Sequence, residues 1–171
     1  MPSRQRILVA ALLALALLLA IPAAGPDPGT ENTEATSVTV LDESGEPLGT
    51  VTVTVADTPD ERYTGLSDTE SLDPNEGMLF VFDSEAERAF VMRDMAFPLD
   101  IVFVDADRTI TAIHHAPVED DQSDLDRYTG TGKWVLEVPF NWTTEHDVAV
   151  GDQIRIDRAN DTDRPTESTG T

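Results

Sequence analysis

An alternation of apolar and polar residues runs through the central part of the chain. Val51, Val53 and Val55 are separated by threonines, and a similar alternation begins at Val38, ahead of a turn that contains glycine and proline. Because successive side chains of a strand point to opposite faces, these two segments predict a hairpin with one buried face. Further strands are predicted at residues 78–82, 89–92, 99–104, 109–116, 134–138 and 153–156.

Two breaks in the strand pattern predict short helices. Residues 58–61 read Thr-Pro-Asp-Glu, a capping box with proline at the first helical position, and Gly65 is placed for a left-handed C-terminal cap. A second helical turn is predicted at residues 143–146. A charged turn at 83–88 and an acidic loop at 119–132 are expected between strands. These features predict a mainly β fold, a compact single-domain β-sandwich or barrel with one or two short helices.

The first 24 residues have the layout of an export segment. Arg4 and Arg6 precede an unbroken apolar run, Ile7–Ile21, and small residues follow it. This pattern predicts a secretory signal, and it also reaches the lower length limit for a membrane-spanning helix. Under either reading the domain is extracytoplasmic, secreted or anchored to the cell membrane by residues 7–24. The predicted organisation is a signal peptide or N-terminal membrane anchor at 1–24, a flexible linker at 25–36, a β domain at 37–158 and a disordered acidic tail at 159–171.

The charge balance narrows the choice of partners. Acidic residues outnumber basic ones 33 to 11, which gives a formal net charge of −22. Such a surface repels phosphates, so nucleic acid is excluded as a partner and membrane contact is expected only through the N-terminal segment. The carboxylates of such a surface repel one another, and molar salt screens this repulsion by shortening the Debye length to about 3 Å. We therefore expect a halophilic, haloarchaeal-type protein. The chain has no cysteine, which rules out disulfides, thiolate metal sites and a lipid-modified cysteine.

A set of short motifs in a fixed order gives the chain a family resemblance over roughly residues 51–156. The motifs are Gly65-Leu66, Gly77-Met78-Leu79-Phe80, Phe90-Val91-Met92, Pro98-Leu99-Asp100, Leu136-Glu137 and Gly151-Asp152. With them the chain closely resembles domain-of-unknown-function family 192 (DUF192). The resemblance implies a small extracytoplasmic β domain without a settled biochemical role. Val91 stands where the family usually has tryptophan, so a ligand site that this tryptophan lines in relatives would be altered here.

Asp100 and two arginines are the first candidates for a site. Asp100 begins a strand that should be buried, and an unpaired buried charge is unfavourable. Its carboxylate should therefore find Arg62, Arg93 or backbone N–H groups, and the alternative to a ligand site is that it pins the Phe97-Pro98 corner. The two arginines could clamp a carboxylate or phosphate through paired hydrogen bonds, or form ordinary surface ion pairs.

Glu137 completes the candidate set. Together with Asp100 it could supply a carboxylate pair for acid–base catalysis if both lined one cleft, whereas strand alternation could instead turn Glu137 outward. The tentative ligand-binding residues are Arg62, Met92, Arg93, Phe97, Asp100 and Glu137. No catalytic residue or cofactor is assigned. No metal site is assigned either, because the adjacent histidines His114 and His115 on one strand point to opposite faces. Asn141 and Asn160 begin glycosylation sequons.

Three functions remain open at this point. The leading hypothesis is a non-enzymatic extracytoplasmic binding or interaction module, whose partner is an unknown small molecule or an envelope protein. The alternative is a hydrolase-like enzyme that uses Asp100 and Glu137, and a purely structural envelope protein is the third. A cleft that holds both carboxylates favours the enzyme, an apolar patch beside Phe90, Met92 and Phe97 favours binding, and the structural protein predicts no pocket.

Overall fold

Strands dominate the described part of the chain, as the sequence predicts. A computed structural model describes residues 35–158, so the predictions for the export segment, for most of the linker and for the tail lie outside the described residues. Within residues 35–158, no helix is long and apolar enough to cross a bilayer. The elements are β1 (Thr36–Leu41), β2 (Pro47–Ala56), α1 (Pro59–Thr64), β3 (Glu76–Phe90), β4 (Leu99–Val104), β5 (Ile110–Ala116), β6 (Tyr128–Pro139), α2 (Trp142–Glu145) and β7 (Gln153–Arg158).

The strands form one seven-stranded sheet in the order β5-β4-β6-β3-β2-β1-β7. The predicted hairpin is confirmed, with Val38 of β1 opposite Val51 of β2 in an antiparallel pair. By contrast, β2 and β3 are parallel, because the chain crosses over between them through α1. This crossover places the short helix over one face of the sheet, next to the cleft described below.

The sheet curls into a half-barrel, so its two edge strands approach each other. Thr109 and Gln153 form an isolated bridge, and the backbone N–H of Ile110 donates to the carbonyl of Asp152 at 2.8 Å. One buried cluster draws side chains from both edge strands, which places it inside the curl. This inner cluster consists of Val38, Val40, Val51, Val53, Leu79, Val102, Val104, Ile110, Leu136, Val138, Trp142 and Ile154.

The other face of the sheet is also buried in its central part. Alternation along β3 puts Leu79 in the inner cluster and Phe80 in a second group, here called the outer cluster. Leu66, Met92 and Met95 come from the connections before and after β3 and cover this face. The outer cluster consists of Ala56, Leu66, Met78, Phe80, Met92, Met95, Leu99, Ile101, Phe103, Ala116 and Val135. Burial of both faces explains why all six residues of β4 are buried.

The predicted charged turn at residues 83–88 is wrong. Those residues belong to β3, one strand of 15 residues that pairs with β6 on both sides of an irregularity between Val81 and Ala86. The acidic loop is correspondingly shorter than predicted, since β6 already begins at Tyr128. Local sequence suggested a turn because the segment is charged and exposed. In the structure the residues between Val81 and Ala86 lie outside the register with β6, and pairing resumes at Ala86 and continues the strand to Phe90.

Helix α1 has the predicted capping box. The Thr58 Oγ1 accepts a hydrogen bond from the Glu61 N–H at 3.3 Å, and the Glu61 carboxylate accepts one from the Thr58 N–H at 3.0 Å. Gly65 follows the helix with φ 53° and ψ −130°, so its φ is positive but its ψ lies outside the left-handed helical region that the sequence predicted. A Cβ at this position would stand 3.3 Å from the Phe80 ring.

Candidate functional site

A cleft of about 290 Å³ opens over the outer face of the sheet. Its walls come from α1 and the residues after it, from β3 and from the connection between β3 and β4. Phe80, Phe82 and Phe90 supply aromatic walls, and Ser67 and Met95 lie on the opposite side. Two other clefts in residues 35–158, of about 320 and 450 Å³, have acidic but no basic lining residues.

Two arginines on this cleft are held by backbone carbonyls and aromatic rings. Arg62 donates from Nη1 to the carbonyl of Val81 at 2.9 Å, and its guanidinium lies 5.1 Å from the Phe82 ring centre. Arg93 donates to the carbonyl of Tyr63, and its guanidinium lies 4.1 Å from the Tyr63 ring centre.

Neither arginine is paired with a carboxylate. The ion pairs in residues 35–158 are His115 with Asp100 and Arg155 with Asp157. Of the two readings that the sequence left open for Arg62 and Arg93, the ordinary surface ion pair is therefore wrong for both. A guanidinium carries five N–H donors, and Arg62 bonds two carbonyls, those of Asp57 and Val81, while Arg93 bonds one, so each arginine keeps donors for a ligand.

Arg88 is a third cation close to the cleft, although it does not line it, and sequence reasoning missed it. Its guanidinium lies 3.5 Å from the ring centre of Phe82, the same ring that Arg62 approaches. Burial first, and the neighbouring Arg62 charge second, lower the pKa of Arg88. Its position as a basic residue within an acidic segment could have marked Arg88 as a candidate, but that segment was interpreted as a turn. In the structure it joins a concentration of positive charge on a chain whose net charge is −22.

Glu137 lies at the bottom of the same cleft and is 6% exposed. Strand pairing places it between Met78 of β3 and Ile101 of β4, so both cross-strand neighbours are apolar. Of the two orientations that the sequence left open for Glu137, the structure has the buried one and not the one turned out to solvent. Its carboxyl makes no hydrogen bond within residues 35–158, and the fully enclosed, unbonded polar atoms there are those of Glu119 and Trp142. The Glu137 carboxyl therefore reaches the cleft.

Burial raises the pKa of Glu137 to about 8. The cause of the shift is loss of hydration, because burial disfavours the ionised form of the carboxyl. At pH 7 the side chain is mostly a neutral carboxylic acid, which can donate a hydrogen bond. The cleft thus has a cationic rim and a protonated floor.

Asp100 occupies a different environment, on the inner face of the sheet. It is fully buried, and its carboxylate accepts hydrogen bonds from the Asn141 N–H at 3.0 Å, the Thr143 N–H at 2.9 Å and the Thr143 hydroxyl at 2.6 Å. The fourth donor is His115 Nδ1 at 2.7 Å. Asp100 therefore binds the start of α2. Of its expected partners it finds backbone N–H groups, those of Asn141 and Thr143, whereas contacts with Arg62, Arg93 and the Phe97-Pro98 corner are absent from the described residues.

The structure brings three of the six candidate residues together in the cleft: Arg62, Arg93 and Glu137. Met92 is 1% exposed within the outer cluster, and Phe97 packs against that cluster without lining the cleft. Asp100 lies opposite Val138, the residue after Glu137, so the two carboxyl groups point to opposite faces. They cannot act on one substrate atom.

The remaining polar residues complete the inventory. His114 contacts the carbonyl of Thr129 and His115 contacts Asp100, so the two imidazoles diverge. No group of three or more His, Asp or Glu side chains in residues 35–158 is arranged to hold a metal ion. Asn141 is exposed with φ 67°, whereas the Thr143 hydroxyl of its sequon is buried on Asp100, and Asn160 lies outside the described residues.

Fold and cleft together define a small β domain, a curled seven-stranded sheet that carries an arginine-rimmed, aromatic cleft on its outer face. The chain belongs to the DUF192 family, described as "Uncharacterized ACR", whose model matches residues 39–156.

Two crystal structures are similar to the chain. One is a protein from Sinorhizobium meliloti 1021 that is named, provisionally, as a transcription regulator, with 27% sequence identity and a TM-score of 0.64 over 71% of this chain and 92% of that one. The other is a protein of unknown function from Novosphingobium aromaticivorans DSM 12444, with 28% identity and a TM-score of 0.63 over 78% and 94% of the two chains. No curated protein matches the chain significantly.

Proposed function

We propose that this chain is a non-enzymatic binding module whose cleft takes a small organic anion. The observation that carries the proposal is the unpaired guanidinium groups of Arg62 and Arg93 on an aromatic cleft of a strongly acidic protein. In this chain acidic residues outnumber basic ones 33 to 11, so carboxylates are the commonest available partners for an arginine. Guanidinium groups that instead rest on carbonyls and rings remain available to bind a carboxylate or phosphate.

The separation of the two carboxyl groups supports binding over hydrolysis. An acid–base pair needs both groups beside one bond, about 5–10 Å apart on a shared cleft. Asp100 and Glu137 project from opposite faces of the sheet, and all four donors around Asp100 come from the protein itself. The aromatic walls, with Phe90 among them, agree better with a site that holds an apolar ligand body.

We place this module outside the cytoplasm, in concentrated salt. The support is the arginine-led apolar segment Ile7–Ile21 and the net charge of −22. Fractionation of cells that express the C-terminally tagged chain tests the location. Recovery in the membrane or the medium supports export, and recovery in the cytoplasm with residues 1–24 intact contradicts it.

Thermal unfolding in molar salt tests the binding site. The full chain is heated with phosphate, acetate, phenylacetate or the neutral 4-hydroxyphenylethanol. We expect phenylacetate to raise Tm because it adds an apolar body to the anionic group, and a ligand at a hundredfold excess over its Kd adds about 2.7 kcal/mol.

Charge-matched variants locate the effect. Arg62→Gln and Arg93→Gln each remove one positive charge at the cleft, and Arg155→Gln removes one from an exposed pair on β7. The phenylacetate shift should shrink in the first two variants and persist in the third. An equal shift in all three variants, or none in the parent chain, contradicts an anion site at Arg62 and Arg93.

A further inference from the structure

We infer that Glu137 is a hydrogen-bond donor for the ligand, holding the polar far end of an organic acid whose anionic end is bound by Arg62 and Arg93. This inference rests on the proposed function and adds the chemical class of the ligand. It assigns three parts to the cleft: a cationic rim, aromatic walls and a proton-donating floor. The ligand would carry a carboxylate or other anion, an apolar middle and a hydrogen-bond acceptor, in that order.

The position of Glu137 is the first support. A polar side chain that is 94% buried normally has a partner within the protein, yet this carboxyl has none in residues 35–158. It is also not sealed off, because it lines the cleft that Phe80 and Phe90 share. A buried, unbonded polar group that faces a cleft is suited to bond a ligand, and such a bond supplies the partner that the fold leaves out.

The surroundings of Glu137 determine whether its carboxyl group is protonated or ionised when a ligand binds. Its strand neighbours Met78 and Ile101 carry no charge. The titratable groups that share its cleft are Arg62 and Tyr63 of α1 and Arg93 after β3. The acidic residues of α1, Asp60 and Glu61, line a separate cleft beside Met78. With the pKa raised to about 8 by burial, the carboxyl holds its proton at neutral pH.

The size and lining of the cleft restrict the ligand class. At about 290 Å³ it lies at the lower end of the roughly 300–1,000 Å³ range of small-molecule sites, so the ligand is a small acid. An anion placed directly on Glu137 would lie between the apolar strand neighbours Met78 and Ile101, where burying a second charge is unfavourable. The acceptor at the far end of the ligand is therefore neutral, such as an ether, carbonyl or hydroxyl oxygen.

A matched pair of probes tests this arrangement. 4-Methoxyphenylacetate carries an anion, a ring and an acceptor oxygen, and 4-ethylphenylacetate has the same shape without the acceptor. Binding to the full chain in molar salt is measured by isothermal titration at pH 6.5 and 9.5. At pH 6.5 we expect the methoxy probe to bind about threefold to tenfold more tightly, which is the range for one net hydrogen bond. At pH 9.5 this preference should disappear, because Glu137 has ionised and can no longer donate.

Two substitutions distinguish the hydrogen-bond donor at position 137 from the pH dependence of the glutamate. Glu137→Gln keeps N–H donors that do not titrate in this range, so the preference for the methoxy probe should be the same at both pH values. Glu137→Leu has no donor and should bind the two probes equally throughout. Arg155→Gln serves as the surface control and should behave like the parent chain.

Other outcomes overturn the inference in distinguishable ways. Equal binding of the two probes at pH 6.5, lost in Arg93→Gln, refutes the role of Glu137 and leaves the anion site in place. A methoxy preference that survives in Glu137→Leu also refutes that role. Failure of both probes to bind the parent chain refutes the inference and counts against the proposed function as well.

Discussion

Two of the buried carboxyl groups in residues 35–158, Asp100 and Glu137, lie on adjacent strands, yet the protein treats them in opposite ways. Asp100 on β4 is fully buried and accepts four hydrogen bonds, whereas Glu137 on β6 is 6% exposed and accepts none in the described residues. Burying a charge is unfavourable in both places. Around Asp100 the protein offsets this penalty with donors, and at Glu137 the carboxyl escapes it by keeping its proton.

The difference shows that the two faces of one sheet have different roles: the inner face carries a structural carboxyl group, and the outer face carries a carboxyl group of the candidate binding site. On the inner face, Asp100 fixes the turn that leads from β6 into α2, so its partners are all supplied by the fold. On the outer face, Glu137 is left without a partner beside a cleft that two arginines share. Groups that are unsatisfied in the folded protein lower its stability, and they are commonly retained where a ligand completes them.

Removing the charge of Asp100 should have the largest effect on stability. In Asp100→Asn an amide N–H₂ faces donors from Asn141, Thr143 and His115, and at least one buried donor loses its acceptor. We expect the free energy of unfolding to fall by about 3–5 kcal/mol, measured by denaturant titration in molar salt. A loss below about 1 kcal/mol would mean that the four bonds do not anchor α2.

Replacing Glu137 by glutamine should change the free energy of unfolding in the opposite direction at neutral pH. Its pKa is about 8 in the folded chain and 4.5 in the reference state, so between these values only the folded chain keeps the proton. The stability of the parent chain relative to Glu137→Gln is therefore highest below pH 4.5, falls as the pH rises and levels off above pH 8. Between pH 4.5 and pH 7 the difference in unfolding free energy should move by about 3 kcal/mol in favour of the variant.

Denaturant titrations of both proteins from pH 4.5 to 9 measure this difference. Its dependence on pH is the informative quantity, because a buried amide adds a constant term of its own. A difference that does not change between pH 5 and 8 would show that Glu137 titrates normally.

Removing one donor to Asp100 should have a smaller effect. Thr143→Val keeps the shape of the side chain but loses the 2.6 Å bond from its hydroxyl, while the Thr143 N–H still donates. We expect a loss of about 1–2 kcal/mol by denaturant titration. In the double variant with Asp100→Asn the losses should not add, since both changes remove the same bond. Additive losses would indicate that the hydroxyl acts independently of Asp100.

The smallest effect on stability is expected at the cleft rim. Arg93 bonds one carbonyl and lies over the Tyr63 ring, so Arg93→Gln should cost less than about 1 kcal/mol of unfolding free energy. The same variant should lose most of the phenylacetate-induced Tm shift. A variant that unfolds much more easily would make Arg93 a structural residue and weaken the case for an anion site.

Several elements of the domain could be predicted from sequence because their determinants are local. The capping box of α1 lies within four residues, and the β1–β2 hairpin follows from valine–threonine alternation and a turn. The burial of Asp100 followed from its place at the start of an apolar strand. The single strand β3 could not be predicted in this way, because it continues past the charged segment only through the pairing of residues 86–90 with β6.

The sequence by itself determined the mainly β fold, most of the strand positions and the residues from which a site could be made. Only the tertiary structure decided that Asp100 and Glu137 face apart and that Glu137 shares a cleft with Arg62 and Arg93. Alternation tells which residues of one strand share a face, but the register between strands decides which faces coincide. That register depends on pairing between residues that are far apart in the chain, such as Met78 with Glu137.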